Sequence, residues 1–376
     1  MHKSHITLDP MKALLRYLMA TPVTMLSMMS AQAHELTEKL SIDGVLSGSL
    51  QCLHPAVDTM TDNTCKGALP IQPELTYRAT RHDRLLLKLG FAVGNGLNET
   101  SSFNITTWGA DLEDDVVNIN GSGRDHILEL WYEHVVEFKP RNRLGLTVGI
   151  IDASRHLDQN AYANNEYIQF MNPALSNAPN AFFPSYDPGI SAEWLIDKWT
   201  FTGVVMKVTQ ETTTDDYTYY GMQVGYLLNT SLGNGHYRVM FNGNKNYVDP
   251  SSLGKQNNDT VLVSIDQQLS KIIGVFSRIG WRLDEQPIDY RAIYSGGLNI
   301  RGASWGRVLD NLGAGFVYLE GGNASLSNTR IAEAYYRLVL NPYVAITADI
   351  QFMQDRFRQT PDISGFIYSL RGTVNF

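Results

Sequence analysis

The chain has 376 residues, 43% of them hydrophobic, 10% aromatic and only 18% charged, with a formal net charge of −8 at pH 7. The charged share is below the roughly 25% of soluble domains, and beyond the N-terminus no run of about 18 apolar residues offers a membrane-spanning helix. The acidic balance also argues against nucleic acid as a partner. Two readings remain, a large soluble all-β protein and a barrel in lipid, whose alternating strands never look hydrophobic as a whole.

At the N-terminus, Met11-Lys12-Ala13-Leu14-Leu15-Arg16 reads as a basic start, residues 17–30 as an apolar Met-rich segment, and Ala31-Gln32-Ala33 as a small-x-small cleavage site. The expectation is a signal peptide over 1–33 and a mature barrel domain over 34–376. That domain carries 27 Lys and Arg against 37 Asp and Glu, a net charge of −10. Export makes the two cysteines, Cys52 and Cys65, a disulfide pair. Between them runs a polar stretch that reads as a short surface loop, which the bond would stiffen. A metal site would need more ligands than His54, so no metal and no cofactor is expected.

From residue 41 onward, alternating segments of roughly ten residues are broken by Gly, Asn, Asp and Pro clusters. Candidate strands run over 41–51, 72–79, 84–94, 103–110, 127–138, 144–152, 190–197, 199–208, 217–228, 235–243, 259–269, 273–282, 290–299, 312–320, 329–340, 343–353 and 364–376. In the third, Leu85, Leu87, Leu89 and Phe91 share one face, and Arg84 and Lys88 the other. In 127–138, Leu128, Leu130, Tyr132, Val136 and Phe138 share a face with the odd His134; Glu129, Trp131, Glu133 and Glu137 oppose them. In 364–376 the apolar face runs from Phe366 to Phe376. These strands are longer than those of a soluble sandwich, and several end in aromatics. Both features fit a transmembrane antiparallel β-barrel with aromatic girdles. Bacterial barrels have an even strand number, and 103–110 has the weakest pattern. The expected count is therefore sixteen, with eighteen as the alternative, enough for an aqueous channel. The tight turns at Asp197-Lys198 and Asn341-Pro342 belong to the periplasmic side. The long gap 153–189 has no strand pattern and reads as a functional loop folded inward. The acidic run Asp111-Leu112-Glu113-Asp114-Asp115 lacks calcium-loop spacing and reads as a solvated outer loop.

The segment from Val148 to Tyr186 carries Gly149, Asp152, Asp158, Asn160, Tyr162-Ala163-Asn164, Gln169-Phe170 and Asn172-Pro173-Ala174. This run resembles the carbohydrate-selective porins of the OprB family, and residues 333–352 resemble that family's penultimate strand pair. The chain departs from the family pattern at Ile150-Ile151, at Asn165 and at Asp187. The resemblance implies passive diffusion of monosaccharides, glucose above all, through the bacterial outer membrane into the periplasm. It also implies that the barrel-insertion machinery recognises the terminal Phe376. The partners are then sugars, outer-membrane lipid and that machinery, with the protein a monomer or a homotrimer.

A neutral sugar both donates and accepts hydrogen bonds, so a constriction should offer carboxylates together with guanidinium and amide groups. The candidates on the wall are Glu129, Trp131, Glu133, Arg278, Arg282, Glu333 and Arg337. The loop adds Asp152, Asp158, Asn160, Tyr162, Asn164 and Glu166. The alternative is a general or organic-acid-selective porin. Less favoured are a polysaccharide exporter and a barrel enzyme, the latter suggested by His134; no catalytic motif appears in the sequence.

Overall fold

A computed structural model describes residues 34–57, 62–210, 216–248, 255–284, 288–323 and 325–376. Residues 1–33, where the signal peptide is expected, lie outside them. Among the described residues, sixteen strands form one antiparallel sheet. They are β1 (Leu40–Val57), β2 (Thr64–Arg78), β3 (Asp83–Leu89 continued by Phe91–Val93), β4 (Ile127–Lys139), β5 (Asn142–Ile151), β6 (Asp187–Ile196), β7 (Trp199–Thr209) and β8 (Asp216–Asn229). The remainder are β9 (Asn234–Val248), β10 (Lys255–Gln268), β11 (Ile273–Arg282), β12 (Tyr290–Arg301), β13 (Asn311–Gly321), β14 (Leu326–Val339), β15 (Val344–Phe357) and β16 (Ile363–Asn375). Each pairs with its sequence neighbours, and β16 pairs with β1, for example Leu370 with Leu50, so the sheet closes into a barrel. A short stretch, His34–Glu35, folds back on Ile42 and Ser41.

The alternation sorts the side chains inside out. Leu50, Leu130, Val205, Met222, Ile279 and Leu370 stand exposed on the outer face. Gln51, Thr202, Asn242, Ser264, Gln351 and Arg371 are buried towards the lumen. A lipid-facing band around a polar interior is the barrel's answer to a solvent that cannot bond the backbone. Aromatics gather at both rims. Trp194, Trp199 and Tyr226 cluster at the end where β1 begins and β16 finishes, the near end. Trp281, Tyr294 and Tyr318 cluster at the far end.

Several details differ from the sequence reading. Residues 103–110 form no strand; they belong to a second long connection, 94–126. The second strand starts at Thr64 and not at 72, because Pro70 and Pro73 mask its alternation although it stays in register with β1. Leu128 is buried and does not share the outer face. The β3–β4 register slips between Lys88 and Leu89, which makes Leu128 an extra inward residue. It packs over Gly90, where any Cβ would lie 2.7 Å from its side chain. Cys52 and Cys65 are bonded, yet they face each other directly on β1 and β2 and do not bracket a free loop.

Candidate functional site

Both long connections leave the far end and fold into the lumen. The β5–β6 connection, residues 152–186, is held by polar clamps. Asp152 caps a single helical turn, Ala153–His156, accepting from the Ser154 amide at 2.8 Å. That turn aims Arg155 at the wall, where one guanidinium nitrogen meets Glu74 at 2.7 Å and Glu129 at 2.8 Å. Glu74 and Glu129 flank Lys88 in one row across β2, β3 and β4. Trp131 donates its indole N–H to Glu129 at 3.0 Å.

A second clamp sits opposite. Asp158 and Arg278, 2% and 0% exposed, meet at 2.5 Å, and Arg278 also donates to the carbonyls of Leu175, Ala163 and Ser176. Asn160 donates to Ser264 on β10 at 3.3 Å. Arg371 donates to the Glu166 and Gln169 carbonyls. The Glu333 carboxylate accepts the Met171 and Asn172 amides. Asn172 in turn caps the turn Pro173–Ser176, with Pro173 in the first helical position. Phe170 lies between Phe276 and Tyr335, with ring centroids 5.5 and 5.1 Å away. The loop residues that suggested a sugar site from sequence are thus largely what fixes the loop to the wall.

The β3–β4 connection makes a second layer on the first. Trp108 donates its indole N–H to the Glu166 carbonyl at 3.0 Å, and the Gly109 amide donates to the Met171 carbonyl at 2.9 Å. The Thr107 carbonyl accepts from Gln351 at 3.0 Å. Asp111, read from sequence as part of a solvated run, accepts from the Tyr186 hydroxyl at 2.7 Å. Sequence reasoning missed this layer. The signal was there: Leu97, Trp108, Leu112 and Val116 are fully buried apolar residues in an otherwise polar, acidic stretch.

Below the loops, towards the near end, lies a cavity of about 660 Å³. Its floor is the underside of the β5–β6 connection, and its walls come from β1, β6, β7, β8 and β9. The lining holds three acidic residues, Asp43, Glu193 and Asp197, and three basic ones, Arg155, Lys198 and Arg238. Seven Asn and Gln side chains line it as well, among them Asn160, Asn164 and Gln223. Arg238 is neutralised by Asp266 at 2.7 Å. Burial, and then the Arg155 charge, hold the His156 imidazole down at about 4, so it faces the cavity neutral. Phe376 closes the rim, exchanging backbone hydrogen bonds with Gly44 at 2.8 and 3.0 Å. A Cβ at Gly44 would lie 2.4 Å from its ring.

Of the residues singled out from sequence, Asn160 and Asn164 line this cavity. Asp152, Asp158, Glu129, Trp131, Arg278 and Glu333 anchor the loop. Glu133 pairs with Arg84 at 3.0 Å. Arg282 bonds Asn258 and Asp284. Tyr162 packs over Gly274. Arg155, Gln169, Gln223 and Arg238 were not foreseen; inward alternation alone marks Gln223 and Arg238.

Residues 97–376 match the model of the family described as carbohydrate-selective porin, OprB family. A protein of uncharacterised function from Aquifex aeolicus (strain VF5) is 30% identical over 277 residues, 72% of this chain and 78% of that protein. The high-pH structure of Pseudomonas putida OprB superposes with a TM-score of 0.71 at 12% identity, covering 91% of this chain and 95% of that one. The outer membrane channel DcaP of Acinetobacter baumannii gives 0.57 at 10% identity, covering 90% and 97%. At such identities the two structures speak for the porin fold, and the family match covers most of the chain. The chain belongs to the carbohydrate-selective porins of the OprB family and is a β-barrel of the bacterial outer membrane.

Proposed function

We propose that the barrel is a passive diffusion channel for neutral monosaccharides such as glucose, and not an enzyme, with its near end in the periplasm. The observation that carries this reading is the cavity lining. Amides outnumber either charge among the lining residues, and two of the three cations, Arg155 and Arg238, are already paired with carboxylates behind the lining. A neutral polyol can bond to amides and to paired charges alike, because each of its hydroxyls both donates and accepts. Weak contacts at several places let cargo enter and leave. His134, the residue that suggested hydrolysis, forms a surface pair with Asp83 at 2.8 Å, and Asp83 also accepts from Tyr132. Such a pair at a barrel rim supports a structural role.

The test is liposome swelling with the purified barrel in glucose, a disaccharide, gluconate and an amino acid. Fast swelling with glucose and slow swelling with the rest is the expected result. Equal swelling with all four solutes would make the protein a general porin, and swelling fastest with gluconate would make it an organic-acid channel.

A further inference from the structure

The outer face changes character within one step along β13, β14 and β15. Phe316, Ala332, Phe352 and Phe366 stand side by side in one outward row. Two residues closer to the far end the row reads Tyr318, Arg330 and Gln354, and beyond it lie Glu320, Asn328 and Arg356. A step of two residues is about 7 Å, so the arginines sit just past the edge of the apolar band. Arg330 lies over the Tyr318 ring, 5.8 Å from its centroid, and has no ion pair among the described residues. Arg356 Nε is buried without a hydrogen-bond partner, and the carboxylate of Asp362 stays 3.6 Å away. Asn328 is 7% exposed, and its Oδ1 is likewise unsatisfied among the described residues. Glu320 is engaged by Arg291 at 2.5 Å. At the near end the same strands turn Leu312, Tyr336, Leu338 and Ile346 outward in place of charges.

A buried polar atom without a partner is costly and uncommon. Two guanidinium groups on diagonal positions of neighbouring strands, with backbones roughly 7–8 Å apart, suit an anion with several oxygens to offer. Phosphate is the anion that matches guanidinium geometry. The Asn328 oxygen needs a donor, which an ionised phosphate lacks and a sugar hydroxyl or amide supplies. The position at the rim of the lipid-facing band selects a lipid over a soluble ion, because acyl chains can lie along Phe316, Phe352 and Phe366 beneath it. A zwitterionic headgroup would bring its own cation to the arginines. The charge stands at one end of these strands only, so the lipid belongs to one leaflet.

We infer that this patch binds a phosphorylated glycolipid, of the lipid A class, in the outer leaflet. The leaflet rests on the proposed orientation, with the near end in the periplasm; the chemistry of the patch does not.

The experiment is native mass spectrometry of the full mature barrel in detergent. It is titrated with bisphosphorylated lipid A, phosphatidic acid and phosphatidylethanolamine, with inorganic phosphate as competitor. Lipid A is expected to bind most tightly. Arg330→Gln and Arg356→Gln should each weaken it about 5-fold, and together about 25-fold. Arg291→Gln, whose charge Glu320 already holds, should change it less than about 2-fold. Asn328→Leu should weaken lipid A and leave phosphatidic acid unchanged. Equal lipid A binding by the wild type and the double arginine variant would overturn the site. Equal affinity for phosphatidic acid would replace the glycolipid with anionic lipid in general, and displacement by millimolar phosphate would replace it with a free-phosphate site. Labelling of Asn341→Cys by an impermeant maleimide on intact cells would reverse the orientation and move the site to the other leaflet, while the binding result would stand.

Discussion

The two ends of the lumen are built on opposite plans. Towards the far end the barrel is filled like a soluble core. Phe170, Ala174 and Leu175 from one loop and Leu97 from the other pack on inward apolar residues such as Met240, Leu262, Ile331 and Met353. Buried charges there are consumed in clamps. Towards the near end the lumen stays open, and its charges and amides face the cavity. Inward-facing side chains near the far end therefore serve stability first; around the cavity Arg155, Asn160 and Arg238 are engaged as well, whereas Glu193 and Lys198 hold no ion pair among the described residues. A polar residue on a lumen face is no sign of a binding role until its partner is known.

Three substitutions sharpen this contrast. The largest effect is expected from Arg278→Ala, which leaves Asp158 charged and buried and releases three loop carbonyls. Breaking a buried pair in this way costs about 3–5 kcal/mol. Thermal unfolding should show that loss, and single-channel conductance should rise several-fold as the loop loosens; an unchanged conductance would mean that the apolar packing alone holds it.

A smaller, pH-dependent effect is expected at Glu166, between the two loops. Burial, and next the Asp111 charge, push its carboxyl up to about 7. Its protonated form is thus favoured in the folded state. The barrel should lose stability as pH rises from about 4.5, the carboxyl's value in the unfolded chain, through about 7, with the loss complete above that. Glu166→Gln should flatten this part of a stability–pH curve, and a curve of unaltered slope would place the charge elsewhere. The smallest effect on stability belongs to the open end. Glu193→Gln should change the unfolding free energy by no more than about 0.5 kcal/mol. It should lower the preference for cations over anions, read as a shift in reversal potential across a KCl gradient. A large loss of stability would make Glu193 an anchor after all.

The strands were legible in the sequence because alternation is local: Leu85 to Phe91 and Phe366 to Val374 declare their faces without knowledge of any partner. Where local pattern and pairing conflict, the reading failed. Pro70 and Pro73 hid the start of β2, and the slip beside Gly90 turned Leu128 inward. The inward loop at 152–186 was visible as a long gap without periodicity. The roles of its residues were not, because Asp158 and Arg278 lie 120 positions apart, and nothing local says that they neutralise each other. The connection 94–126 was misread for a related reason. Its few apolar residues have no period, and only the neighbouring loop gives them a surface to cover.

The seam of the barrel brings Gln51 against Ser369, 318 positions along the chain. Contacts of that separation are slow to form, because the entropy of closing so long a loop must be met before any pairing rewards it. The bond between Cys52 and Cys65 secures β1 to β2 beside that seam. A hairpin locked early offers β16 a preformed edge, so the ring can shut in one docking event late in assembly.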